Sequence, residues 1–123
     1  YDRLMQKFVG QTRYSVVHKA DGRVIGVISL MDAERAVPGW ELGIEMAPDV
    51  RRQGYAREAL AAVIQAFFEK TDTVLFTGGH YAYNTISGEL LKKLCFTYEG
   101  IEHKAMRHAE RGPTDLVCYY LEK

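Results

Sequence analysis

Residues 40–70 read WELGIEMAPDVRRQGYAREALAAVIQAFFEK, and three kinds of patterning follow one another inside that stretch. From Trp40 to Met46, the residues Leu42, Ile44 and Met46 alternate with Glu41, Gly43 and Glu45. A period of two is that of a half-buried strand. From Tyr55 to Lys70, Ala56, Ala59, Leu60, Val63, Ile64 and Phe67 recur at three and four residues, with Arg57, Glu58, Gln65 and Glu69 off that face. This is the spacing of an amphipathic helix. Between them, Val50 to Arg57 crowds Arg51, Arg52 and Arg57 onto the helix start. Unpaired backbone N–H groups make that end electropositive, so a Ser, Thr, Asp or Asn cap and acidic residues are the usual occupants. Like charge there costs about 0.3–1 kcal/mol per exposed residue, and a bound anion is the natural compensation. Gly54 lets the backbone approach a ligand closely, and Ala56 keeps the next position small. The strand, loop and helix together read as a pyrophosphate cradle; an ordinary loop with solvated arginines is the plainer alternative.

Working outward, Leu4, Met5 and Phe8 have helical spacing and stop at Gly10, which reads as the last turns of a helix. Tyr14 to His18 is a strand, Asp21-Gly22 a hairpin turn, and Val24 to Leu30 the returning strand. On the other side, Thr73 to Thr77 is a short β run closed by Gly78-Gly79, and Ile86, Leu90 and Leu94 mark a second helix. Phe96 to Ile101 and Asp115 to Leu121 are β-rich, separated by a polar segment containing Gly112-Pro113. The order α, β, β, β, α, β, α, β, β describes an α/β (α+β) protein whose helices pack on a mixed sheet.

The chain has 123 residues, enough for one domain over 1–123, without internal repeat or linker. Lys+Arg and Asp+Glu are 16 each, so no overall field exists to hold nucleic acid or an anionic membrane. Two cysteines, Cys95 and Cys118, make no disulfide framework and no zinc spacing, which points to no metal and to the cytoplasm. No apolar run approaches the roughly 20 residues of a membrane span, and YDRLMQKF is not a signal peptide. Lacking an initiator Met, the chain reads as a piece of a longer one.

The pattern Arg51-x-x-Gly54-x-Ala56, after a strand and before an amphipathic helix, resembles the acetyl-CoA signature of the GNAT superfamily of N-acetyltransferases. His80-Tyr81-Ala82-Tyr83-Asn84-Thr85-Ile86-Ser87-Gly88, with Leu91-Lys92-Lys93-Leu94-Cys95-Phe96, is similar to the Asn-x-x-Ser and Lys-Leu-Gly-Phe region of the branch containing the ribosomal-protein N-terminal acetyltransferases. Tyr98-Glu99-Gly100 and Asp115-x-x-x-Tyr119-x-Leu121 resemble the terminal strands of that branch, and Gly43 and Pro48 are in register. The resemblance runs from about Gly22 to Leu121. It implies a mixed sheet splayed between its middle strands and flanked by helices, here without the family's N-terminal strand and first helix. It also implies direct attack of a primary amine, on a protein N-terminus or a small molecule, on the thioester of acetyl-CoA in a ternary complex, without a metal.

On this resemblance, the backbone from Arg52 through Gln53, Gly54 and Tyr55 to Ala56 holds the pyrophosphate, with the Arg51 and Arg52 side chains adding charge. Backbone near Ile44 and Met46 meets the pantetheine arm. Asn84 contacts the pantetheine or thioester end, or serves as a helix N-cap. Ser87 gives a proton to the leaving thiolate, or simply occupies a first helical turn; many relatives use a Tyr where this chain has Leu91. Glu41, ahead of Glu45, is the base, the plain alternative for both being charge pairs across the sheet; His80 ranks behind them. Cys95 replaces the usual Gly before Phe96 and reads as a small buried residue, the alternative being a free thiol near the cofactor. The expected partners are acetyl-CoA and an amine acceptor, with a homodimer the one assembly the reading admits. The alternatives are a non-catalytic acyl-CoA sensor of the same fold, and a small interaction domain binding another phosphate ligand.

Overall fold

The computed structural model describes residues 5–8, 11–51 and 53–123. Their strands are β1 (Met5–Phe8), β2 (Gln11–Val17), β3 (Val24–Asp32), β4 (Gly39–Met46), β5 (Leu75–Tyr81), β6 (Thr97–His108) and β7 (Gly112–Glu122). The helices are α1 (Tyr55–Lys70) and α2 (Thr85–Lys93), with a 3-10 turn at Pro48–Val50. The seven strands form one sheet in the order β1-β2-β3-β4-β5-β7-β6. Every pairing is antiparallel except β4 with β5. Those two are joined through α1, as a parallel pair requires a crossover.

Both helices lie on one face. Phe67 of α1 meets Tyr14, Trp40 and Phe76 edge to face. Ala59, Leu60, Val63 and Ile64 of α1 are buried with Ile28 and Leu30 of β3. Leu91 of α2 packs over Gly78, and Gly88 lies against His80. The alternation along β4 therefore turns Leu42, Ile44 and Met46 toward the helices, and Glu41, Gly43 and Glu45 to the opposite face, where all three are exposed. That face carries no helix among the described residues.

Four expectations need correction. Met5–Phe8 is a strand paired with Gln11–Tyr14, not a helix end. A spacing spread over five residues fits either structure, and backbone pairing decided it; Leu4 and Gly10 lie outside the described residues. β5 runs through Gly78-Gly79 to Tyr81 instead of closing there. Neither glycine has the positive φ of a turn, and at Gly78 the missing side chain admits Leu91, which a Cβ would approach to 2.9 Å. The polar segment around Gly112-Pro113 is mostly strand: β6 and β7 form a long hairpin in which Pro113 pairs with Arg107, beyond the part of β7 joined to β5, where its missing N–H breaks no ladder on that side. Lastly, Cys95 is exposed. It sits at φ 69° just after α2, where Cys95 N–H donates to Lys92 O at 3.0 Å and Phe96 N–H to Leu91 O at 3.0 Å. This is a Schellman stop, whose left-handed residue is usually Gly and whose side chain points outward.

Candidate active site

Pairing between β4 and β5 begins at Gly39 with Leu75 and ends at Leu42 with Gly78. Beyond that point β4 continues to Met46 beside β3, and β5 continues to Tyr81 beside β7. The sheet therefore splays between its two parallel strands at their C-terminal ends, and among the described residues the β5-side edge of 43–46 has no strand against it. Crevices at the carboxyl ends of parallel strands are where open α/β sheets take their ligands. Each of the two strands leads into a helix start, β4 into α1 and β5 into α2, so two helix N-termini lie at the same end of the splay.

The start of α1 is built without a side-chain cap. Gly54 is the N-cap residue at φ 80°, ψ 0°, and no side chain bonds to the first turn. Glu58 N–H closes the first helical bond to Gly54 O at 3.1 Å, leaving the N–H groups of Tyr55, Ala56 and Arg57 directed beyond the helix end. A Cβ at position 54 would meet nothing within 4 Å, so glycine is there for its conformation, and the space before it is open. Arg51 and Arg57 are exposed beside this opening; Arg52 lies outside the described residues. Gln53 donates from Nε2 to Asp49 O at 3.2 Å, and the Tyr55 hydroxyl bonds to His18 Nε2 at 3.1 Å. Asp49 is held by both guanidinium nitrogens of Arg23, at 2.6 and 2.7 Å. The loop is thus fixed from the β3 side. Ile44 and Met46 point into the helix face, so only their backbone is available to a ligand.

At the start of α2, Asn84 is the N-cap and accepts from Ser87 N–H at 3.3 Å. The capping alternative is therefore realised, which leaves the Asn84 amide N–H2 turned to solvent with the half-buried Ser87 in the same turn. His80 is buried beneath this turn. It donates from Nδ1 to Tyr81 O at 2.6 Å, faces the Tyr119 hydroxyl with Nε2 at 3.4 Å, and stacks on the Tyr119 ring. Both ring nitrogens are thus engaged within the fold.

Glu41 lies on the helix-free face at the last turn before the splay, and Glu45 beyond it on the same face. Although Glu41 is exposed at its edge, partial desolvation pushes its carboxyl up, and Glu102 and Glu34 push it further, while Arg35 draws it down. No ion pair joins Glu41 or Glu45 among the described residues. Arg35 instead grips Glu99 at 2.8 and 3.2 Å. Three features were hidden in the sequence: Glu102, whose face depends on a bulge in β6; Thr77, which faces Glu41; and the His80–Tyr119 contact, which spans 39 residues.

Known proteins bear on this geometry in three ways. A family model described as an acetyltransferase (GNAT) domain matches residues 2–97. No curated protein gives a significant match. Among solved structures, the chain is similar to a ribosomal-protein alanine acetyltransferase from Vibrio fischeri, at TM-score 0.83 and 19% identity over 93% of this chain and 62% of that one. It is similar to a GNAT-family acetyltransferase from Bacillus anthracis at TM-score 0.81 and 21% identity, over 89% and 65%. A dodecameric spermidine N-acetyltransferase from Vibrio cholerae gives TM-score 0.81 and 18% identity, over 92% and 65%. The chain spans about two thirds of the length of these structures. At such identities they speak for the fold; the family model, which covers most of the sequence, speaks for descent, and by it the chain belongs to the GNAT acetyltransferase family.

Proposed function

We propose that the chain is an acetyl-CoA-dependent N-acetyltransferase that acetylates a primary amine by direct attack in a ternary complex, with 1–123 as one domain. The observation that carries this reading is the splay: a strand edge released at 43–46, next to an uncapped helix start whose N-cap glycine faces open space. An extended amide-bearing arm fits the first, and a diphosphate fits the second. Acetyl-CoA supplies an activated acyl group with a thiolate leaving group.

The chain's residues divide the remaining work. Backbone N–H groups from Gln53 to Ala56, with Arg51 and Arg52, bind the diphosphate. Backbone at Ile44 and Met46 aligns the arm, and Asn84 N–H2 donates to its inner end. Glu41, its carboxyl raised by burial, takes the proton of the incoming ammonium, directly or through water, with Glu45 the second carboxylate on that face. The C–N bond then forms as the C–S bond breaks; the Ser87 hydroxyl gives its proton to the sulfur and is reprotonated by the proton that the new amide nitrogen sheds. No set of three or more His, Cys, Asp or Glu is arranged for a metal ion among the described residues. No helix of the described residues is long and apolar enough to cross a membrane. We place the reaction in the cytoplasm, with a homodimer as the assembly.

Calorimetric titration with CoA tests the cradle. Gly54→Glu places a side chain at φ 80° and a carboxylate among the N–H groups, and should weaken binding at least tenfold; unchanged affinity overturns the assignment.

A further inference from the structure

Gly43 lies inside β4, paired with Ser29 of β3 on one side and one residue past Leu42–Gly78, the last pair of the β4–β5 ladder, on the other. Glycine inside a strand weakens it, because the chain loses more freedom on folding and no side chain packs on the neighbours. Its presence is normally explained by a left-handed backbone or by crowding. Gly43 does not have a positive φ. Among the described residues, the other strand glycines with ordinary backbone are explained by crowding. An added Cβ would come to 2.8 Å from Glu45 O at Gly26, 3.0 Å from Leu75 O at Gly39, 2.9 Å from Leu91 at Gly78 and 3.1 Å from Leu116 at Gly79. At Gly43 it would meet Ser29 Cβ at 3.7 Å, an ordinary contact, and nothing closer. The fold therefore has room for a side chain here. A strand glycine that packing does not require marks a place where a ligand comes close to the backbone.

The position indicates which part of a ligand that is. The helices occupy one face of the sheet, so the uncapped start of α1 lies on the helix side of the splay, whereas Glu41 and Glu45 lie on the other. A thioester whose diphosphate is held at α1, and whose amine partner is deprotonated at Glu41, has to be met through the gap between those faces. Alternation places Gly43 between Glu41 and Glu45 on the helix-free face, exposed, at the first level where the gap is open. The opposite lip is firm. Tyr81, which follows Gly79 on that face of β5, stacks on Tyr83 with 5.3 Å between ring centroids and 9° between planes. Arg111, in the turn between β6 and β7, lies 3.9 Å over the Tyr83 ring. A side chain at position 43 would narrow a passage whose far side is braced.

We infer that Gly43 determines specificity: its bare backbone is the floor over which the carbons next to the acceptor's amine pass on their way to the thioester. A side chain there would obstruct the acceptor and spare the cofactor, whose arm meets the edge of β4 and not this face. The inference rests on the N-acetyltransferase reading above and goes beyond it by assigning the acceptor's path.

The test titrates two ligands by calorimetry into the whole chain and into Gly43→Ala and Gly43→Val. One is CoA; the other is S-carboxymethyl-CoA amidated with n-butylamine, which joins both halves of the ternary complex and requires no turnover. The unsubstituted chain should bind the conjugate at least tenfold more tightly than CoA. Gly43→Ala should weaken the conjugate about threefold, and Gly43→Val should reduce it to the affinity of CoA itself, with CoA within twofold throughout. Neither variant should lower Tm, because the position is open and valine favours a strand. If CoA does not bind at all, the transferase reading falls and the inference with it. If CoA binds, a conjugate that binds no tighter, or that Gly43→Val leaves unchanged or weakens only as much as CoA, overturns the inference alone. A Tm lowered in both variants also overturns it, since the position would then be filled.

Discussion

Replacing Gly88 with alanine tests how α2 is seated over the splay. On helix propensity alone the substitution should stabilise the protein by about 1 kcal/mol. The structure reverses that sign. A Cβ at position 88 would lie 2.7 Å from His80 Nε2 and 3.2 Å from its Cε1. The ring cannot swing aside cheaply, because Nδ1 is bonded to Tyr81 O at 2.6 Å and the ring is stacked on Tyr119. Overpacking a filled site costs about 1–3 kcal/mol, and breaking the Nδ1 bond adds about 1 kcal/mol. The net loss is about 1–3 kcal/mol, a fall of roughly 4–12 °C in Tm for a domain of this size. Urea unfolding followed by circular dichroism measures it, and a His80→Ala background supplies the control. There the clash is gone, and Gly88→Ala should be neutral or stabilising by up to about 1 kcal/mol. Equal effects in the two backgrounds would refute the packing of α2 on His80, and with it the placement of Ser87 in the adjoining turn.

Two further outcomes bear on the chemistry. Ser87→Ala should lower kcat at least tenfold while leaving CoA affinity within twofold, because the hydroxyl acts on the thiolate and the Asn84 cap uses only the Ser87 backbone N–H; an unchanged kcat in steady-state assays removes Ser87 from the mechanism. The acidic limb of the kcat/KM profile should lie above the ordinary carboxylate value, since burial and Glu102 raise Glu41, and Glu102→Gln should move that limb to lower pH. The same shift has a consequence for stability: a carboxyl raised in the fold favours folding below its ordinary pKa, and that contribution disappears as pH climbs through the raised value. Glu41→Gln should therefore flatten the stability profile over that window, as measured by unfolding at stepped pH.

Periodicity over residues 40–70 sufficed for β4 and α1, because each element is long, amphipathic and bounded by punctuation. The α1 boundaries came out as Tyr55 and Lys70, and its buried face is the one the spacing marked. The arginine loop was legible for a local reason, an electropositive helix end with the wrong charges and no cap. What sequence could not show was long-range. Met5–Phe8 is a strand only through its partner β2. Gly78 and Gly88 look like a turn signal and a helix weakness until the facing Leu91 and His80 are known. Cys95 in place of glycine kept the turn, and the left-handed backbone turned its side chain out instead of in. Glu102 and Thr77 reach the region of Glu41 through register alone, across three strand pairings and a bulge.

Acetyl transfer itself is the most direct measurement. The whole chain is incubated with acetyl-CoA and a panel of peptide N-termini, monoamines, diamines, amino acids and aminoglycosides, and the acceptors are weighed by mass spectrometry. The splay, the uncapped cradle and the Glu41 and Ser87 pair predict at least one acetylated acceptor, with thiol released in equal amount. CoA bound normally and no acceptor acetylated would contradict the account.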